Sequence, residues 1–226
     1  MITTKRTYDD GCPTAHGLDL IGERWALLVV RELMLGPRRF SDIRAGLKGI
    51  SPNVLSQRLA ELEQARIVAR RRLPPPNSVW VYQLTDWGSR LDGVMQSLGR
   101  WAVESPSLPK DRNLGIVSYV LSLRALFNPA AAVGPERTII LCLSGQEFCG
   151  IFGEGRLVLR PGPSDQRDAT ILSGPVALAR VTSGEHSLGT AITAGEVEIV
   201  GDLKVAASFL GLFGSEDRER NQVSET

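Results

Sequence analysis

Apolar residues recur at helical spacing through the first hundred positions. Leu18, Ile21, Trp25, Leu28 and Val29 predict one amphipathic helix, which Gly36-Pro37 stops. A short helical segment follows, with Phe40, Ile43 and Leu47 apolar and Ser41 placed to cap it. Gly49, in "KGIS", suits a turn at positive φ. Ser51 then caps a helix that reaches about Ala65, and Pro52 takes its first position, where a missing N–H is no loss. The pattern next changes to β-like runs. "IVARRRL" and "SVWVYQL", joined through "PPPN" with Asn77 at the tip, predict a hairpin. A helix over "TDWGSRLDGVMQSLGRWA" closes this half, with Trp87, Leu91, Val94, Leu98 and Trp101 on one side.

"ESPSLPKDRN" interrupts the pattern, and residues 104–112 are expected to link two domains. Beyond it a helix is expected around Leu114 to Phe127. Strand candidates follow in "TIILCL", "EFCGIF", "RLVLRP", "ATILSG" and "EVEIVG", with helices around Pro175 to Ser183 and Asp202 to Phe213. This order predicts an α+β domain with a mainly antiparallel sheet. In the last helix Leu203, Ala206, Ala207 and Leu210 form one stripe, and Phe209, Leu212 and Phe213 widen it almost around the axis. Such a helix is expected to bury more than one side. The polar stretch 215–226 is expected to be disordered.

The helix over 52–65 has two unlike faces. With 100° per residue, Leu59 and Leu62 fall within about 40° of Leu55, whereas Asn53, Ser56, Gln57 and Ala60 lie at about 100–200°. Asn and Gln can bond adenine edges at two points, and Ser suits several bases, so Ser51, Asn53, Ser56 and Gln57 are the candidate base readers. Two short helices around a Gly turn, followed by a hairpin, make a winged helix-turn-helix. Arg58 on the flank, with Arg38, Arg39, Ser41, Arg70, Arg72 and Asn77 around it, are the candidate phosphate and wing contacts. Strand alternation turns Arg71 away from Arg70 and Arg72.

Charge sharpens this picture. The overall balance is +1, yet residues 38–72 hold 9 basic against 3 acidic side chains, as a polyanion binder needs and as a solvated basic surface also shows. Apolar content of 42% and charged content of 23% exclude a disordered chain. No apolar run is long enough to cross a bilayer and the N-terminus has no signal-like core, so a cytoplasmic protein without membrane association is expected. Cys12, Cys142 and Cys149 cannot all pair within the chain and fit a reducing compartment. His16 and His186 join no catalytic arrangement, and no Cys/His pair has metal spacing. An enzyme, a metal site or a cofactor is therefore not expected.

"CPTAHGLDLIGERWALLVVRELMLGPRRFSDIRAGLKGISPNVLSQRLAELEQARIVARR" resembles the HxlR-type winged helix-turn-helix regulators of bacteria. The likeness spans about residues 10–103 and includes the Cys-Pro, "GERW", "RRFSDI" and "ISPNVLSQRL" in order. It implies a homodimer, built from the first and last helices of this half, on a pseudo-palindromic double-stranded operator, usually as a repressor. Trp25, Trp87 and Trp101 suit that apolar interface and equally a monomer core. Some members sense electrophiles or oxidants through the Cys before Pro, a position held here by Cys12. Asp9 and Asp10 would raise its pKa, and a protonated His16 would lower it.

"ITAGEVEIVGDLKVAASFLGLF" and "DATILSGPVALARVTSGE" resemble the sterol carrier protein-like fold over about residues 113–214. That likeness implies an apolar tunnel for a lipid or other hydrophobic small molecule, between sheet and helices. Leu123, Phe127, Phe148, Phe152, Phe209 and Phe213 are the candidate walls, and plain core residues otherwise. The expectation is therefore a two-domain α+β chain: 1–103 for DNA binding and dimerisation, 104–112 as linker, and 113–214 for sensing an apolar effector. The alternatives are redox or electrophile sensing through Cys12, and a hydrophobic-ligand carrier with a vestigial DNA-binding half.

Overall fold

The computed structural model describes residues 7–76, 78–109 and 114–213. Asn77, part of the expected linker and the expected disordered tail lie outside them. The chain divides into two compact units, Met1–Met95 and Gln96–Thr226.

The first unit opens with α1 (Pro13–Ile21) and α2 (Ala26–Leu33), where the sequence predicts one helix. The apolar spacing persists across the break, but Trp25 has φ 78°, a left-handed conformation that no α-helix continues through. α3 (Phe40–Gly46) starts one residue before the expected cap. Ser41 lies inside the helix and bonds Asp42, while Arg39 occupies the N-cap and its backbone N–H donates to Asp42 Oδ2. Gly49 takes φ +90° in the turn to α4 (Pro52–Gln64), where Ser51 Oγ accepts from the Val54 amide at 3.3 Å. Leu55, Leu59 and Leu62 of α4 pack with Val29, Leu33 and Ile43 in the core of this unit.

β1 (Val68–Arg72) and β2 (Trp80–Leu84) form the antiparallel wing, with Arg70 opposite Tyr82 and Arg72 opposite Trp80. Arg38 extends this sheet by backbone bonds to Tyr82 in both directions. The closing helix is also two: α5 (Asp86–Ser89), capped by Thr85, and α6 (Leu91–Val103), within which the division between the units falls. Thr85 ties α5 to the start of β1, since its amide donates to Ile67 O at 3.0 Å and its hydroxyl to Arg66 O at 2.7 Å.

The second unit holds a five-stranded sheet in the order β5-β4-β3-β6-β7. Its strands are β3 (Arg137–Leu143), β4 (Gln146–Gly153), β5 (Arg156–Pro161), β6 (Ala169–Ser173) and β7 (Val197–Gly201). Only the β3–β6 pair is parallel. α10 (Leu203–Gly211) packs on β3, β6 and β7 and α7 (Ile116–Ala125) on β5, while α8 (Pro175–Ser183) packs on both of these helices. α9 (Leu188–Thr193), capped by Ser187, joins β7 and has no apolar stripe to announce it.

α10 corrects the expectation of burial on more than one side. Val205, Ala206, Phe209 and Leu210 are buried, while Leu203, Lys204, Ala207, Ser208 and Gly211 form an exposed side. Small residues make that side tolerable in water. Leu212 and Phe213, which widen the stripe on paper, lie past the helix end and fold back into the core.

Candidate nucleic-acid interface

The buried leucines of α4 leave Asn53, Ser56 and Gln57 exposed on its outer face, with Ser51 exposed at its start. These four candidate readers share one helix, and its N-terminal end carries three of them. None has a charge, so a face of this kind is suited to hydrogen bonding rather than to attraction of an anion.

Arg58 does not belong with the phosphate contacts. It is 8% exposed, and its Nη1 lies 2.7 Å from Glu61 Oε2 and 3.3 Å from Glu23 Oε2. Nε and Nη1 lack hydrogen-bond geometry, so the contacts are ionic ones that fix α4 to the turn between α1 and α2. A guanidinium buried and paired with two carboxylates in this way is turned away from a phosphate. Arg38 is also turned inward. Its Nη1 lies 3.5 Å from Oε2 of buried Glu32, whose Oε1 accepts from Arg31 Nη2 at 2.9 Å.

The remaining cations stay outside. Arg39 and Ser41 are exposed at the start of α3. On the wing, the Arg70 guanidinium sits 4.7 Å over the Trp80 ring and 5.9 Å from that of Tyr82. Arg72 shares that face and donates to Ser78 O, while Arg71 stands opposite buried Val81. Arg44 and Lys48, which the sequence reading passes over, line a shallow concavity of about 520 Å³ with Ser41 and Gly49, at the turn of the motif. Both are exposed, and the concavity exists only once α3 and the turn have folded together. Exposed Trp80, also passed over, gives the wing a flat apolar surface beside Arg70.

Cys12 is exposed at the N-cap of α1. Its thiol pKa is lowered, chiefly by the backbone amide of Ala15, then by the amide and hydroxyl of Thr14. The start of the helix supplies the effect, not His16, and the Asp10 carboxylate is engaged by the Cys12 amide at 2.9 Å. A lowered pKa means more thiolate at a given pH. Alkylation of Cys12 by iodoacetamide is therefore expected to reach its half-maximal rate at a lower pH than for an ordinary cysteine. Buried Cys149 is expected to stay unmodified, as peptide mapping would show.

The expected walls of an apolar pocket are packed core in the second unit. Leu123, Phe148, Phe152, Phe209 and Phe213 are buried, and Phe127 half-buried. Phe209 meets Phe152 at 5.3 Å and Phe213 at 5.0 Å between ring centres, both edge to face. A Cβ on Gly150 would lie 3.3 Å from the Phe209 ring, so the sheet has little spare room there. Among the described residues, no group of three acidic, His or Cys side chains is placed to hold a metal, and no helix is long and apolar enough to cross a membrane.

A capped recognition helix, a Gly turn, a preceding helix and a two-stranded wing define a winged helix-turn-helix protein. Residues 20–107 match the HxlR-like helix-turn-helix family. The HTH-type transcriptional regulator YodB of Bacillus subtilis (strain 168) is 40% identical over 92 residues, covering 40% of this chain and 82% of YodB. The chain belongs to the HxlR-like helix-turn-helix family. A solved structure of the reduced form of YodB is 37% identical with a TM-score of 0.39, over 43% of this chain and 97% of that one. The stereoselective inverting sec-alkylsulfatase Pisa1 from Pseudomonas sp. is 26% identical with a TM-score of 0.40, over 43% of this chain and 16% of the enzyme.

Proposed function

We propose that the chain is a transcription regulator that binds a pseudo-palindromic operator as a homodimer and represses from it. The observation that carries this reading is the exposed, uncharged Asn53–Ser56–Gln57 face on a helix whose other side is locked into the core. Ser51, Asn53, Ser56 and Gln57 read bases. Arg39, Ser41, Arg44, Lys48, Arg70 and Arg72 hold phosphates, and the salt dependence of binding follows their number.

α6 supports the dimer. None of its residues is buried, and Val94, Leu98 and Trp101 are 50%, 42% and 73% exposed along one stripe. An apolar stripe of this kind calls for a partner surface. Beside Val94, Leu20, Ile21, Trp87 and Leu91 line a cleft of about 230 Å³ between α1, α5 and α6, into which a partner side chain fits. Residues 1–103 then serve DNA binding and dimerisation, 104–112 link, and 113–214 sense.

For the second unit we propose a sterol carrier protein-like fold that takes an apolar small molecule or lipid between the sheet and α10. The supporting feature is the apolar layer there. Because Phe152, Phe209 and Phe213 fill it, a ligand enters by displacing rings, and that displacement is the signal. The ligand must bind the two dimer states unequally to shift operator affinity. Native mass spectrometry of the purified protein tests both parts: a dimer carrying a co-purified apolar ligand is expected. A monomer overturns the dimer, and a bound ligand that leaves operator affinity unchanged overturns the control.

A second reading rests on the exposure and lowered pKa of Cys12. Here an electrophile or oxidant modifies the thiolate at the head of α1 and alters the dimer. A response to electrophile that survives in Cys12→Ser would remove this reading.

A further inference from the structure

Gln57 has the longest arm of the four candidate readers, and it is held. Its Nε2 donates to Glu61 Oε1 at 3.0 Å, one helical turn further on. A carboxylate only accepts, so the amide nitrogen must be the atom turned toward Glu61. The amide oxygen is left for another partner. Glu61 is fixed in its turn, because Oε2 lies 2.7 Å from Arg58 Nη1, and buried Arg58 is also paired with Glu23. This pairing offsets a negative charge that would otherwise oppose a phosphate-lined groove.

We propose that Glu61 is a positioning residue that sets the polarity of Gln57, so that Gln57 offers its oxygen to the groove and reads a base-pair donor. The donors on the major-groove edge are adenine N6 and cytosine N4, one for each base pair. An amide free to turn over accepts or donates equally well, whereas one held by a carboxylate selects a donor. The inference rests on the DNA-reading role of α4 proposed above.

The full chain is used to select duplexes from a random-sequence pool. One position in each half-site is expected to lose its base preference in Gln57→Ala. At that position, removing the exocyclic amino group (purine for adenine, or 2-pyrimidinone for cytosine) is expected to weaken wild-type binding about tenfold and to leave Gln57→Ala unchanged. Glu61→Ala is expected to lose about tenfold of the preference there while the other positions keep theirs. Glu61→Gln, whose side-chain oxygen still accepts from Gln57, is expected to retain most of it. A pool from which nothing is enriched overturns the DNA-reading role, and this inference with it. An enriched site with no Gln57-dependent position, indifferent to loss of the amino group or unchanged in Glu61→Ala, overturns the inference alone.

Discussion

Replacing Phe209 by alanine is expected to destabilise the second unit by about 3–5 kcal/mol. The ring is fully buried, meets Phe152 and Phe213 edge to face, and lies against Gly150 in the middle of the sheet. Its loss removes apolar contact and leaves a cavity that β3 and β4 cannot close, since each is paired on both sides. Hydrogen exchange followed by mass spectrometry separates the units. Faster exchange is expected in peptides from β3, β4 and α10, with those from α4 unchanged. A cost below about 1 kcal/mol would mean that the ring lines a space already open, and would favour a preformed ligand pocket over a displaced core.

The second large effect belongs to the first unit. A Cβ on Gly88 would lie 2.1 Å from Ile67 O and 2.9 Å from Ile67 C. Both atoms are backbone, at the junction where Thr85 anchors α5 to β1, so no rotamer change relieves the contact. Gly88→Ala is expected to push α5 off the wing, break the Thr85 bonds and cost about 3 kcal/mol. Gly93→Ala is the control. It has open space at its Cβ position within α6, and is expected to be neutral or to stabilise by up to about 1 kcal/mol. Thermal unfolding of the two variants tests the pair. Equal melting temperatures would show that α5 can move away from Ile67 at little cost.

Much of this molecule was legible in its sequence because the signals are local. Ser51-Pro52 announces a helix start, Gly49 a turn, and the Leu55–Leu59–Leu62 stripe the buried side. Each acts within one or two turns of chain. Strand alternation likewise separated Arg71 from Arg70 and Arg72. What escaped depends on residues far apart in the chain. Arg58 reads as a phosphate contact until Glu23 is brought beside it, and Arg38 until Glu32 is. The break between α1 and α2 escaped because apolar spacing continues straight through Trp25, and periodicity does not register a left-handed residue. Arg44 and Lys48 escaped because a concavity is a property of two elements together. In α10, counting apolar residues overstated burial: alanine counts as apolar, yet Ala207 sits comfortably in water beside Ser208 and Gly211.

The inward turn of Arg58 leaves α4 with no cation on its reading face. The proposed recognition and grip therefore fall to different segments of the chain. If α4 reads bases as proposed, substitutions at Asn53, Ser56 or Gln57 are expected to alter which sequence is preferred without altering how many counterions are released. On that reading, a lineage of such proteins would move to new promoters by changing three neutral side chains, with its tolerance of cellular salt inherited intact.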